Sequence, residues 1–239
     1  LMKVMKNTLF IDIETASGKA DFSLLSPKMQ SLWLRKAKNL PNPMSLSLEE
    51  LYFDKAALYA EFGKIICIGM GFLYQDKEKG LSFKVKTIAS DQEEELLSTF
   101  ISFINSTYKN KELSLVAHNG KEFDFPYLCR RMLVHSLEIP KQLQLQGKKP
   151  WEVVHVDTME LWKFGDRKAY TSLELLTEIL SIGEAKSNLS GDKVNETYYK
   201  QNNLSAIEDY CKEDVILVAQ LFLRFNFQKQ VEPLNIISI

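Results

Sequence analysis

The chain has 239 residues, 45% of them hydrophobic and 26% charged, a size and balance suited to one generous domain or two very small ones with a buried core. A formal net charge of −1 excludes a global positive field, so a polyanionic partner would have to be met by local lysines or bound cations. Cys67, Cys129 and Cys211 are scattered and form no CxxC, which argues against zinc or a disulfide framework and for a reducing cytoplasm. No apolar run near the N-terminus is long enough for a signal peptide or a membrane span.

In chain order, residues 8–14 (TLFIDIE) alternate as a strand, with Leu9, Ile11 and Ile13 on one face and Phe10, Asp12 and Glu14 on the other. Residues 26–38 have helical spacing with Pro27 in the first turn, and Ser47 with Glu50 forms a capping box opening a helix to about Phe62. Residues 64–73 and 81–89 read as strands of a hairpin closed by DKEKG. Asp91 to Asn105 is an amphipathic helix, and 113–118 the next strand. After a helix at 126–136 comes a polar, lysine-bearing connection and a short strand at 153–157. Helices follow at 171–181, 192–200 and from Leu204 to about Phe227. The order predicts one α/β domain over 1–239, a mixed sheet with helices on both faces, with a core at 7–227 and a helical insertion at 15–63.

Acids stand where a core is expected. Asp12 and Glu14 point the same way from an apolar strand, and burying unpaired carboxylates costs several kcal/mol or shifts their pKa; a divalent cation removes that penalty. On the last helix Ile207, Cys211, Asp214, Val218, Leu221 and Phe225 form a core-facing seam interrupted by Asp214, with Tyr210 one turn earlier. The segment Asn119 to Pro126 follows a strand, where α/β proteins place ligands, and contains Asp124. Acids from a strand, a loop and a helix suit two hard cations, Mg²⁺ or Mn²⁺, of the kind used in phosphodiester cleavage.

In that order the pieces resemble the DEDD superfamily of 3′–5′ exonucleases, with its RNase H-like fold. D-x-E corresponds to Asp12-Ile13-Glu14, N-x(2,3)-[FY]-D to Asn119, Phe123 and Asp124, and Y-x(3)-D to Tyr210 and Asp214. The tyrosine points to the DEDDy branch, and the SLELLTEIL helix is similar to that of family B DNA polymerase proofreading domains, here without a palm or fingers. The resemblance implies that Asp12 bridges two metals, that Glu14 and Asp214 complete the site holding the attacking water, and that Asp124 serves the second metal. It further implies that Tyr210 orients the water with Glu14, that Thr15 and Ala16 meet the terminal nucleotide through the main chain, and that Asn119 and Phe123 touch its sugar or base. Taken singly, Asp124 reads equally as a helix cap and Tyr210 as a core-rim aromatic, while the stripe position of Asp214 argues against half of a structural bridge. Asp157 reads as a fixer of local structure, and the three histidines as structural or surface residues.

Two stretches could grip a strand: 28–40, with Lys28, Arg35, Lys36, Lys38 and Trp33, and 141–168, with six Lys/Arg against four Asp/Glu. Either is equally a solvated face. The expectation is a monomeric 3′–5′ exonuclease acting on the 3′ end of single-stranded DNA, with no membrane segment and a replication or repair partner. The alternatives are an RNA exonuclease of the same superfamily, a silent end-binding homologue, and a hydrolase of small phosphate esters.

Overall fold

The computed structural model describes residues 7–109, 111–166, 170–183 and 189–239. Six strands form one mixed sheet: β1 (Thr8–Ser17), β2 (Gly63–Asp76), β3 (Gly80–Ala89), β4 (Ser114–Ala117), β5 (Val156–Asp157) and β6 (Ile236–Ser238), in the order β5-β4-β1-β2-β3-β6. The first three pair antiparallel, while β4 joins β1, β5 joins β4 and β6 joins β3 in parallel. The central position of β1 explains its apolar character, since a strand covered on both faces cannot alternate with water.

The two faces of β1 have different covers. Leu9, Ile11 and Ile13 pack with Ile65, Leu97, Phe100 and Leu128 under α3 (Glu93–Tyr108) and α4 (Asp124–Val134). Phe10 packs with Val215, Val218 and Phe222 of the 22-residue helix α8 (Leu204–Phe225), so Asp12 and Glu14, two and four residues on, face this same helix. Gly69, paired with Asp12 across β1–β2, sets the separation: a Cβ there would lie 2.7 Å from Val215 and 2.9 Å from the Cys211 sulfur. A side chain at 69 would lift α8 off the strand that carries the acids.

Between β1 and β2, helices α1 (Pro27–Ala37) and α2 (Glu50–Lys55) wrap their own small core of Trp33, Leu51, Tyr52, Ala56 and Phe62. The Ser47–Glu50 capping box forms, each backbone amide meeting the other side chain at 2.9 and 3.1 Å. The helix it opens is shorter than its spacing suggests, giving way to a 3-10 turn at Ala56–Leu58, and β1 runs on to Ser17, so residues 15–17 are strand and not insertion. Trp33 is not a stacking surface: it is fully buried, donates to the Leu48 carbonyl at 2.7 Å and meets Tyr52 and Phe62 edge-on. Three shorter helices, α5 (Thr158–Lys163), α6 (Leu173–Ile179) and α7 (Val194–Tyr199), complete the layer beside α8. Among the described residues no helix is long and apolar enough to cross a membrane.

Candidate active site

Each element delivers its acid for a local reason. The pleat of β1 turns Asp12 and Glu14 toward α8, and Glu14 sits opposite Cys67 of β2. Asn119 takes a left-handed conformation (φ 62°), and Gly120 lies so close to Ala117 and Phe125 that a Cβ would clash, so the chain turns sharply off β4 into α4. Asp157 stabilises that turn, accepting from the amides of Asn119 (2.9 Å) and Lys121 (3.0 Å) while capping α5 through the Met159 amide (2.9 Å). Its role is the structural one expected. The first residue of α4, Asp124, is thereby aimed at β1, where its carboxylate accepts from the Ile13 amide at 3.2 Å.

From the other face α8 brings Tyr210, Cys211 and Asp214. The Cys211 thiol donates to the Asp12 carbonyl at 3.6 Å, and one ligand atom from each of Asp12, Glu14 and Cys211 lies within 4.8 Å of the others. Glu14 and Asp124 are buried and Asp12 and Asp214 half-buried. Among the described residues no lysine, arginine or histidine forms an ion pair with any of the four. The Oδ2 of Asp12 is shut off from solvent without a hydrogen-bond partner among the described residues.

The electrostatics follow from that crowding. Burial, then the charges of Glu14, Asp214 and Asp124, raises Asp12 well above the usual carboxylate range. Burial and Asp214 do the same to Glu14. Asp124 is pushed up to about 7, mainly by burial, with backbone hydrogen bonds working in the opposite direction. Asp214 is pushed up to about 6 by burial, with a hydrogen bond from Tyr210 holding it lower than it would otherwise be. Burial and then the charges of Asp214, Glu14 and Asp12 raise the Tyr210 phenol, so it stays protonated in reach of three carboxylates. Burial likewise keeps the Cys211 thiol protonated. The charged donors are all oxygens, the set that Mg²⁺ or Mn²⁺ prefers, and the chemistry of the Asp12 oxygen fits a cation ligand.

The expected substrate-binding residues divide. The amides of Ile13 and Ser17 reach Asp124 and Asn195, on the edge of β1 beyond its pairing with β4; by the two-residue repeat the Thr15 amide lies on that open edge too. Ala16 is turned the other way, fully buried among Val194, Tyr198 and Ile207, with its carbonyl oxygen facing Gly63 at β2. Asn119 engages its neighbours through its backbone, and half-buried Phe123 lies 5.2 Å from the Tyr127 ring.

Sequence reading passed over Cys211, although it shares the seam with Asp214, and over Glu174, whose charge reaches Asp214 from α6. His118, read from the sequence as a structural or surface residue, ties the strand end to Thr158 and to the Thr171 carbonyl, both at 2.9 Å. Of the two basic stretches, 28–40 folds around its own tryptophan, while 141–168 exposes Trp151 beside Lys149 (5.3 Å) and Phe164. Arg167 and Lys168 lie outside the described residues.

A family profile described as a predicted 3′–5′ exonuclease related to the exonuclease domain of PolB matches residues 57–234. The chain belongs to this family. Asp124, Tyr210 and Asp214 fall within the matched span, while β1 with Asp12 and Glu14 precedes it. Among solved structures it is similar to the family B DNA polymerase from the hyperthermophilic archaeon Pyrobaculum calidifontis, with a TM-score of 0.55 and 13% identity over 91% of this chain. The chain spans 24% of that polymerase's length. The likeness is one of fold: the mixed sheet is that of the polymerase exonuclease domain, an RNase H-like architecture.

Proposed function

We propose that this protein is a metal-dependent 3′–5′ exonuclease that hydrolyses the terminal phosphodiester bond of single-stranded DNA and releases nucleoside 5′-monophosphates. The observation that carries this reading is the meeting of four carboxylates from β1, α4 and α8 at one place without a cationic side chain among the described residues to neutralise them. Asp12, Glu14, Asp124 and Asp214 would hold two divalent cations. When bound, these supply charge neutralisation, an acidified water nucleophile and a clamp on the scissile phosphate.

The chain's own residues do the rest. The Tyr210 hydroxyl, kept neutral and giving its proton to Asp214, orients the attacking water by accepting a hydrogen bond from it, and Glu14 accepts from the water's other O–H. The Thr15 amide on the open edge of β1 receives the terminal nucleotide; Ala16 serves packing. Asn119 and Phe123, at the turn leading to Asp124, border its sugar and base. Family membership and the fold shared with a DNA polymerase favour DNA over RNA.

The test is a 5′-labelled single DNA strand and its RNA counterpart, each incubated with Mg²⁺ or Mn²⁺ and with EDTA controls. The expected result is a metal-dependent ladder shortening from the 3′ end of the DNA. Faster shortening of RNA would move the reading to an RNA exonuclease. No shortening of either strand with either metal would overturn it in favour of capture of 3′ ends without cleavage.

A further inference from the structure

A cavity of about 540 Å³ opens between α4 and the segment 139–153, beside the loop that leads to Asp124. Its size is that of a small-molecule site, for which the usual range is ~300–1,000 Å³. The floor is apolar, with Phe125 and Leu143 fully buried. The far wall is fixed in advance: the Cys129 thiol donates to the Leu143 carbonyl at 3.3 Å, and the Gln142 amide to the Tyr108 carbonyl at 2.6 Å. Arg130 and Lys148 in the lining are both exposed and neither is in an ion pair among the described residues, while Lys121, also in the lining, is already bridged to Glu160 at 2.7 Å. The side-chain amide of Gln146, also in the lining, can both donate and accept.

We infer that this cavity is a nucleotide subsite separate from the four carboxylates, with its apolar floor taking the base and Arg130 with Lys148 the phosphate. An apolar slot alone would suit any hydrophobe. Two cations in the lining without an ion pair among the described residues, above an apolar floor, call for a ligand that is a ring at one end and an anion at the other. A nucleotide has that shape, either as a free 5′-monophosphate or as a unit of the strand held upstream of the end. The choice of ligand rests on the exonuclease reading; the site itself does not.

Binding of 2-aminopurine deoxyriboside 5′-monophosphate, followed by its fluorescence in EDTA, tests the cavity by itself, because without cations the carboxylates repel a phosphate. Saturable binding is expected in the wild type and equally in Asp12→Ala. Replacing Arg130 and Lys148 together by Ala should weaken it about tenfold or more, as loss of charge-assisted contacts does. An oligonucleotide carrying the same fluorophore third from its 3′ end distinguishes a unit of the strand from a free nucleotide. No saturable binding of either probe, unchanged binding in the double variant, or equal competition by inorganic phosphate would overturn the assignment. Cleavage assays with Mg²⁺ read the other site, so one proposal can fail while the other stands.

Discussion

Two groups of acids are taken out of bulk water around this sheet, and the fold treats them in opposite ways. On the α3–α4 side, Glu93 accepts from the Ile65 amide at 2.7 Å and from Arg131 Nε at 2.8 Å, with Arg131 Nη2 and His135 on its other oxygen. Although burial works against its charge, the hydrogen bonds of Arg131, Ile65 and His135 prevail and hold Glu93 below the usual glutamate range. Where β1, α4 and α8 meet, the four carboxylates of the candidate site have one another for neighbours, with the charge of Asp157 also acting on Asp124, and are all raised. Burial of an acid is therefore no sign of function in this molecule. What separates the two groups is whether the protein itself supplies the countercharge.

The largest effect should come from making the first group resemble the second. Arg131→Met leaves Glu93 buried without its guanidinium and should cost about 3–5 kcal/mol in urea unfolding, the range for breaking one partner of a buried pair. A loss below 1 kcal/mol on the same measurement would mean that the network is dispensable.

The reverse change should separate activity from stability. Asp12→Ala is expected to lower kcat by a factor on the order of 10²–10³ or more, as deletion of one preorganised electrostatic group does. The same variant should melt no lower than the wild type in EDTA, because it removes like-charge repulsion. Wild-type turnover in this variant would refute the site assignment.

The smallest effect is one of pH. An acid whose folded pKa lies above its unfolded value binds protons more tightly in the native state, so its ionisation destabilises the fold. In EDTA, the Asp124 and Asp214 contributions should lower Tm as pH rises from about 4, the unfolded value, toward the folded values of about 7 and about 6 respectively. Glu93, with its pKa depressed, runs the other way: its contribution is present above the unfolded glutamate pKa and lost as pH falls through the folded one. Saturating Mg²⁺ should flatten only the first dependence, and a metal-independent slope in thermal scans would count against cation binding at the carboxylates.

This contrast also explains which features could be read from the sequence. Asp12 and Glu14 broke a two-residue repeat and Asp214 a helical one, so their presence on covered faces was visible locally. Glu93, Arg131 and His135 come from positions 38 and 42 residues apart, and no spacing rule joins them. Trp33 was open to reading as a stacking surface because its partners, Tyr52 and Phe62, are supplied by a separate stretch of chain. The strand β6 has three residues paired to β3 from more than 150 positions away, too short to leave a pattern. The helix opened at Glu50 obeyed its cap but not its expected length, since a cap fixes where a helix begins and tertiary packing decides where it stops.

Gly69 carries no chemistry, yet it governs the gauge of the candidate active centre. The strand bearing Asp12 and Glu14 and the helix bearing Tyr210 and Asp214 are separate pieces, and the width of the gap they enclose is set by the hydrogen that stands where other residues have a methyl group. A cleft assembled this way has a fixed bore: its fit to a cation is written at a position that would never touch one.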